Sequence, residues 1–439
     1  MKLLTFRKGV HPKEFKELTE HKKIERFPTP REVFIPLFQH VGSPAKPIVE
    51  KGMDVKKGQV IGESSGFISG YIHASITGKV KTVDTFLHPL GYSDKMVHIV
   101  ATEEGESKVI EEKRDLDKLS GDDIVSIIEK AGIVGLGGAA FPTHVKLSPT
   151  RNKKIDTFIL NGCECEPYLT TDYRMMIEFP EKIIKGIQII MKALGIRKSY
   201  IGIENNKLEA IQIINGYIKD YDNIEVSVLK TKYPQGAEKM LIKAILNREV
   251  PAGGLPMDVG VIVNNVGTVA AIHDAVVYGK PLIERVVTIT GDGIKEPKNL
   301  LIPIGTLVKD VIEYCGGLTG NKIKVIMGGP MMGIALGSLD VPIIKGTSGI
   351  LCLKDDKGFV EKVYPCIQCG NCVSVCPMFL IPTRIAHFSK KALYKEANDY
   401  GILNCIECGS CSYVCPSHIP LVQYIKIGKF MVNRLNKKE

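Results

Sequence analysis

The spacing of apolar positions changes several times along the chain. Residues 1–34 are polar and mixed, with Pro12, Pro28 and Pro30, and read as an irregular arm. Over 35–100 apolar and polar residues alternate in short runs, as in "VEKGMDVKKGQVIGE" and "GYIHASITGKVKTV", punctuated by Gly52, Gly58, Gly62, Gly66, Gly70 and Gly78. That period predicts short strands and tight turns. Residues 101–119 are densely charged and read as a linker. From Ser120 the period lengthens. "SGDDIVSIIEKAG" opens with a Ser cap and early acids, and "PEKIIKGIQIIMKALG" starts at Pro180; both predict helices. "IDTFILNG", "SYIGIEN", "IEVSVLK" and "VGVIVNN" predict strands, with helices "KLEAIQIINGYIKD", "AEKMLIKAILN" and "TVAAIHDAVVYG" among them. Such alternation over 120–284 predicts a largely parallel sheet covered by helices. Residues 285–345 form a smaller unit: strand "RVVTITG", helix "GTLVKDVIEYCGG", strand "KIKVIMGG". It is expected to act as a spacer. Residues 346–425 are helix-permissive and cysteine-rich, and 426–439 form a basic amphipathic tail expected to pack or to dock a partner.

Composition narrows the picture. With 439 residues, 44% hydrophobic and 24% charged, the chain is an ordinary globular protein of several domains. A net charge of +10 favours acidic partners or an anionic surface. The absence of Trp and an aromatic content of 7% argue against a base-stacking nucleic-acid platform. No signal peptide is evident, and no run approaches the roughly 18 apolar residues of a spanning helix. The expectation is an intracellular protein, peripheral to any membrane.

Twelve cysteines in such a chain point to metal rather than disulfides. Eight fall in "CIQCGNCVSVCP" and "CIECGSCSYVCP", each C-x2-C-x2-C-x3-C-P. Three thiolates at that spacing wrap one cubane, and the fourth, before Pro, ligates the other cluster in two-cluster proteins. The expected sets are Cys366, Cys369, Cys372 and Cys415 for one [4Fe–4S] cluster, and Cys405, Cys408, Cys411 and Cys376 for the other. A zinc site prefers two pairs of ligands. The long stretch between the motifs fits an α-helical two-cluster ferredoxin module better than the compact bacterial form.

Clusters pass single electrons, so a flavin is the expected converter from a two-electron donor. "GIVGLGGAAFPTHVKL" offers Gly135, Gly137 and Gly138 for close backbone approach to a phosphate, and Lys146 as its counter-charge; a structural turn is the plain alternative. "NGCECEP" follows a predicted strand, and loops at strand carboxyl ends hold ligands in α/β folds. There Glu164 and Glu166 could accept hydrogen bonds from hydroxyl or amide groups, or form a solvated acidic turn. Cys163 and Cys165 lack metal partners and read as small buried thiols.

Taken together, "GLGGAAFPT", "NGCECEP", "YPQGAE" and "VIVNNVGT" resemble the flavin- and NADH-binding subunit of respiratory complex I. With the leading "FRKGVHPKEFK", a unit similar to the barrel-sandwich fold of biotinyl and lipoyl domains, and the paired cysteine motifs, nearly the whole chain resembles the RnfC family, which belongs to the ion-translocating Rnf electron transport complex. The barrel's expected tip, "SSGFISG", lacks a Lys, which argues for docking rather than a carrier role. The resemblance implies a multidomain α/β protein: a barrel-sandwich unit, a complex I flavoprotein-like FMN core, a β-grasp (SLBB-like) module and a two-cluster ferredoxin module. It implies FMN contacts from Gly135, Gly137, Gly138, Lys146, Asn161, Glu164, Asn264 and Asn265, with Thr268 close by. Phe141 and Glu166 would face the dinucleotide, and Tyr233 and Glu238 match the ends of a Tyr…GEE stretch. Two positions depart from the complex I pattern, Leu136 for Arg and Ala237 for Glu; both bear on the dinucleotide.

The implied activity is hydride exchange between NAD(H) and FMN, with single electrons relayed through two [4Fe–4S] clusters to or from other Rnf subunits, some membrane-embedded or ferredoxin-like, and ion translocation coupled to the flow. The implied location is the cytoplasmic side of the cell membrane. The alternatives are a soluble flavin iron–sulfur reductase resembling cobalamin reductase, where the flavin core comes first, and a relay subunit without a working NAD site.

Overall fold

The computed structural model describes residues 3–102, 113–149, 153–355 and 362–436, so most of the expected linker lies outside the described residues. The segment from Ser120 builds a four-stranded sheet in the order Ile224–Leu229, Lys198–Glu204, Thr157–Gly162, Val261–Asn265, with every pairing parallel. Its helices start and stop where the sequence signals them. The Ser120 hydroxyl accepts from the Asp123 N–H, and the Asp123 carboxylate accepts from the Ser120 N–H. Pro180 opens the helix Pro180–Leu194, and Gly195 closes it at φ 63°. One face of the sheet packs on Ile183, Ile187 and Ile272. The other packs on Leu241 and Ile242. Burial on both faces explains why these strands read as continuous apolar runs. It also leaves the strand carboxyl ends, Asn161 and Asn265 in register, as the open edge.

The barrel-sandwich unit is antiparallel. Strands Glu32–Pro36, Ser93–Ala101, Gly78–Leu87 and Asp54–Val55 form one sheet, and Lys46–Pro47, Val60–Glu63 and Ile72–His73 the other. Val33, Ile35, Ile61, Ile72, Val97 and Ile99 fill a common core. The lysine-free tip docks: His144 Nε2 lies 3.1 Å from the Phe67 carbonyl oxygen, beside the glycine-rich loop.

The β-grasp unit differs from expectation at both ends. Its six-stranded sheet runs Ile24–Arg26, Lys298–Pro303, Glu284–Thr290, Gly349–Lys354, Ile323–Met327, Ile334–Ala335. Gly349–Lys354 pairs with two strands of this sheet, so the unit runs past 345 into the expected 346–425 cysteine unit; only pairing reveals its sheet. The arm also supplies a strand, Ile24–Arg26, parallel to Lys298–Pro303. The supposed tail is the end of a continuous helix, Leu421–Asn436. Its Ile425 and Val432 pack with Ile385 and Ile402 in the core of the cysteine module. Among the described residues no helix is long and apolar enough to cross a membrane.

Three units meet at Glu284, whose side chain is 3% exposed. Arg26 of the arm, Lys57 of the barrel and Lys280 surround it at 2.5, 3.3 and 2.8 Å. Burial pushes the carboxyl up, but Lys280, Lys57 and Arg26 outweigh it and hold it at about 2, against 4.5 unperturbed. A shift of that size corresponds to about 3 kcal/mol. Because the folded value is depressed, this stabilisation is complete above pH 4.5 and is lost as pH falls toward 2. Glu284→Gln is therefore expected to destabilise the protein by about 3 kcal/mol at pH 7. Denaturant curves of both proteins at pH 7 and pH 3 check this; a gap that does not narrow at pH 3 refutes it.

Candidate flavin and iron–sulfur site

The glycine-rich loop leaves the helix Gly121–Lys130 and crosses the open edge of the parallel sheet. It is closed by the Gly135 N–H donating to the Phe141 carbonyl at 2.9 Å. The Leu136 N–H donates to Thr268 Oγ1 at 2.9 Å, and Arg285 donates to the Leu136 carbonyl at 2.5 Å. Gly137 through Ala139 are exposed. A Cβ on Gly137 would stand 2.8 Å from Asn265, whereas Gly138 has nothing within 4 Å. Sequence reading thus placed Gly135, Gly137, Gly138 and Thr268 in one site, and the structure brings them together. Leu136, standing for the Arg of the complex I pattern, turns its side chain into the core.

The two Asn of "NNV" have different tasks. Asn265 caps the helix Val266–Tyr278 by accepting from the Gly267 N–H at 2.8 Å, and donates to Asp172 at 2.6 Å. Asn264 is buried at 5% exposure, and neither its Oδ1 nor its Nδ2 has a partner. Gln235 Nε2 and Arg285 Nε are likewise buried and unpartnered. Asn161 donates to the Gly236 carbonyl at 2.7 Å. Lys146 pairs with Glu238 and donates to the Val263 carbonyl at 2.6 Å, so both expected residues meet at the strand ends. Buried polar atoms are normally satisfied. An orphaned amide at the carboxyl end of a strand, next to the Asn265 that meets Gly137, fits a polar ring system such as a flavin.

The loop Asn161–Pro167 follows the strand Thr157–Gly162. The Glu164 carboxylate accepts from the Asp172 and Tyr173 N–H groups at 2.7 and 3.2 Å, capping the helix Thr171–Glu178. Burial and then the Glu164 charge push Asp172 up to about 7. Burial lowers Arg285 to about 10 against the pull of Asp172. Burial is the chief cause raising both thiols of this loop; Cys163 is a buried core residue as expected, whereas Cys165 is half-buried.

Glu166 and Tyr233 turn toward the cysteine module. The Glu166 carboxylate accepts from the Met331 and Met332 N–H groups at 3.1 and 2.9 Å, and burial pushes it up to about 7. Tyr233, 1% exposed, donates its hydroxyl to the Cys408 carbonyl at 2.7 Å. The β-grasp turn bearing Met331 is wedged between both partners: a Cβ on Gly329 would lie 2.2 Å from Glu166, and one on Gly409 2.7 Å from the Met331 carbonyl oxygen. The β-grasp unit is therefore a clamp, not the expected spacer. Met331, Val10, Tyr233, Cys165 and Cys408 share one apolar cluster.

Cys376 of the first motif lines a single cavity with Cys405, Cys408 and Cys411 of the second. Cys372 neighbours Cys415 and Cys366. Cys366 and Cys369 are exposed. Among the described residues no three His, Cys, Asp or Glu side chains converge closely enough for a single metal ion. A cubane anchors each thiolate at a different corner, so wider spacing suits it.

Lys16, Asp172 and Arg285 carry parts of this site that sequence reading missed. Their contacts span up to 153 residues, and none stands in a recognisable motif.

Family models agree with the architecture. An RnfC barrel sandwich hybrid domain matches residues 4–106, a Nuo51 FMN-binding domain 128–274, an SLBB domain 286–335 and a 4Fe-4S dicluster domain 365–419. The C subunit of the proton-translocating ferredoxin:NAD(+) oxidoreductase complex of Clostridium ljungdahlii is 51% identical over 97% of this chain and 93% of that protein. Its Na(+)-translocating counterpart in Acetobacterium woodii is 45% identical over 97% and 96%. A solved NAD+-reducing [NiFe]-hydrogenase shares the fold at 18% identity, with a TM-score of 0.50 over 72% of this chain and 66% of that one. On fold, site and similarity alike, the chain belongs to the RnfC family of ion-translocating oxidoreductase complexes.

Proposed function

We propose that this protein exchanges electrons between NAD(H) and its complex at the glycine-loop site and conducts them through the cysteine module. FMN supplies the conversion between a hydride and single electrons, and the two [4Fe–4S] clusters carry single electrons onward. The chain's own residues bind and orient. Gly138 leaves room for close backbone approach, Gly137 lets the loop pack on Asn265, Lys146 is held at the strand ends by its pair with Glu238, and Asn264 offers an unpaired amide to the ring system. Glu164, Asn265 and Thr268 hold the surrounding loops rigid.

The observation that carries the reading is the Tyr233–Cys408 contact of 2.7 Å. It ties "YPQGAE", at the flavin site, to the ligand loop of the second motif. The site formed by Cys376, Cys405, Cys408 and Cys411 is thus the one nearest the flavin, and the site with exposed Cys366 and Cys369 faces outward. Val363, Tyr364, Ile367 and Phe379 are exposed around that outer end, where we place the contact with other members of the complex, membrane-embedded or ferredoxin-like. In this reading the protein sits peripherally, on the cytoplasmic side of the membrane.

A second reading, a relay protein without an NAD site, draws on Glu166, whose carboxylate is engaged by Met331 and Met332. Anaerobic titration of FMN-loaded, cluster-reconstituted protein separates the two. NADH, but not NADPH, is expected to bleach the flavin absorbance before cluster EPR signals grow. Flavin left oxidised by NADH while dithionite reduces every centre would favour the relay.

A further inference from the structure

The stretch "FRKGVHPKEFK", residues 6–16, carried part of the family resemblance, yet the mechanism above gives it no task. In the structure it is a strap across the site. Lys8 and Gly9 donate to the carbonyls of Val373 and Val375 in the cysteine module, at 2.8 and 3.0 Å. Val10 pairs with Tyr233 through reciprocal backbone hydrogen bonds of 2.8 and 2.9 Å. The strap then reaches the loop Asn161–Leu169. Phe15 stacks on Tyr168 at 4.7 Å between centroids, and the Tyr168 N–H donates to the Glu14 carbonyl at 2.7 Å.

Lys16 closes the grip. It is 7% exposed, and its ammonium donates to the carbonyls of Glu164, Glu166 and Leu169 at 3.0, 3.0 and 2.5 Å. An ammonium has three N–H donors, and these acceptors use all of them. Within the same loop Glu164 and Tyr168 adopt left-handed φ of 45° and 69°, unusual for residues other than glycine. Strain of this kind persists only where the surroundings over-determine it. Lys16 gathers the loop's carbonyls from one side, while the Glu164 and Glu166 carboxylates are held from the other by the helix at Thr171 and by the Met331 turn.

We propose that Lys16 is a positioning residue for flavin binding: its ammonium holds the strained loop that follows Asn161 and carries Glu164 at the flavin site. The strap then links that loop to Tyr233 and to the cysteine module, so one segment sets the flavin side and the cluster side together. This rests on the flavin reading above. The Lys16 ammonium reaches the flavin side through the loop Asn161–Leu169, whose carbonyls take all three of its donors.

The test compares FMN affinity, by quenching of flavin fluorescence, for wild type, Lys16→Ala and Lys16→Met. Lys16→Ala lacks the three carbons and the ammonium that n-propylammonium supplies. It is expected to raise the FMN Kd about a hundredfold, as loss of charged hydrogen bonds does. Millimolar n-propylammonium should restore most of the affinity, and n-propanol should not. Lys16→Met keeps the packing of the stem and removes only the charge, so it should bind FMN as weakly as the alanine variant. Unchanged Kd in either folded variant, or equal rescue by amine and alcohol, overturns the proposal. If neither variant folds, Lys16 is a folding residue and the proposal likewise fails. Wild type that binds no FMN would instead refute the flavin reading itself.

Discussion

Cys376→Ala and Cys411→Ala will abolish the same cluster, although the two residues belong to different motifs. Cys415→Ala and Cys372→Ala will abolish the other. Each variant should retain about half the iron, because each cubane needs its own four thiolates. The EPR spectrum of reduced Cys376→Ala should match that of Cys411→Ala and complement that of Cys415→Ala. The expectation rests on the cavity shared by Cys376, Cys405, Cys408 and Cys411, and on the neighbourhood of Cys372, Cys415 and Cys366. The motif's geometry agrees: Cys376 closes the helix Asn371–Val375 that contains Cys372, and it lines the cavity of the second motif's cysteines. Order of reduction follows from the same geometry. Tyr233 binds the Cys408 carbonyl, so removing the Cys411 set should leave flavin reducible by NADH and the remaining cluster oxidised until dithionite is added. Identical spectra for Cys376→Ala and Cys372→Ala would show ligation within each motif and refute the crossing.

Much of this was legible in the sequence, for physical reasons that differ by region. The cluster motifs are local, since eight ligands stand within 50 residues and their spacing alone specifies the loops. The parallel core was legible because strands buried on both faces are continuous apolar runs, broken by helices whose start signals, the Ser120 cap and the Pro180 first residue, are written next to them. What stayed hidden was tertiary. Nothing in "GILCLK" says that Gly349–Lys354 pairs with Ile323–Met327. Nothing in "KEFK" says that the final Lys lies under a loop 148 residues away. The adjacent Asn264 and Asn265 look alike on paper, yet one is unpaired and the other caps a helix. Motif resemblance grouped Gly137, Asn161, Asn264 and Thr268; in the structure Gly137 meets Asn265, Thr268 accepts from Leu136, and Asn161 donates to Gly236. It also turned Glu166 toward the dinucleotide and matched Tyr233 to the start of a Tyr…GEE stretch, and their observed hydrogen bonds run to the β-grasp turn and to Cys408.

The difference between the two asparagines yields a prediction with opposite signs for folding and binding. Asn264 is buried with both amide atoms unpaired, and such groups cost about 1–3 kcal/mol. Leucine has nearly the same shape and no polar atoms. In the absence of FMN, Asn264→Leu should therefore stabilise the protein by roughly 1–3 kcal/mol. With FMN the sign reverses. The flavin would lose a partner for its polar edge against a buried apolar side chain, and its Kd should rise by about tenfold to a hundredfold. Ligand that binds only the folded state raises stability according to its saturation. Wild type should thus gain markedly from excess FMN, and the variant should gain little at the same concentration. The melting temperatures are expected to cross, with the variant higher in flavin-free buffer and the wild type higher in excess FMN. Asn265→Leu provides the contrast, because it removes a helix cap and the bond to Asp172 and should destabilise the protein with or without flavin. If Asn264→Leu is destabilised in flavin-free buffer, or binds FMN as tightly as wild type, then Asn264 is not the flavin's amide partner. The unpaired atoms of Gln235 and Arg285 would then be the next candidates.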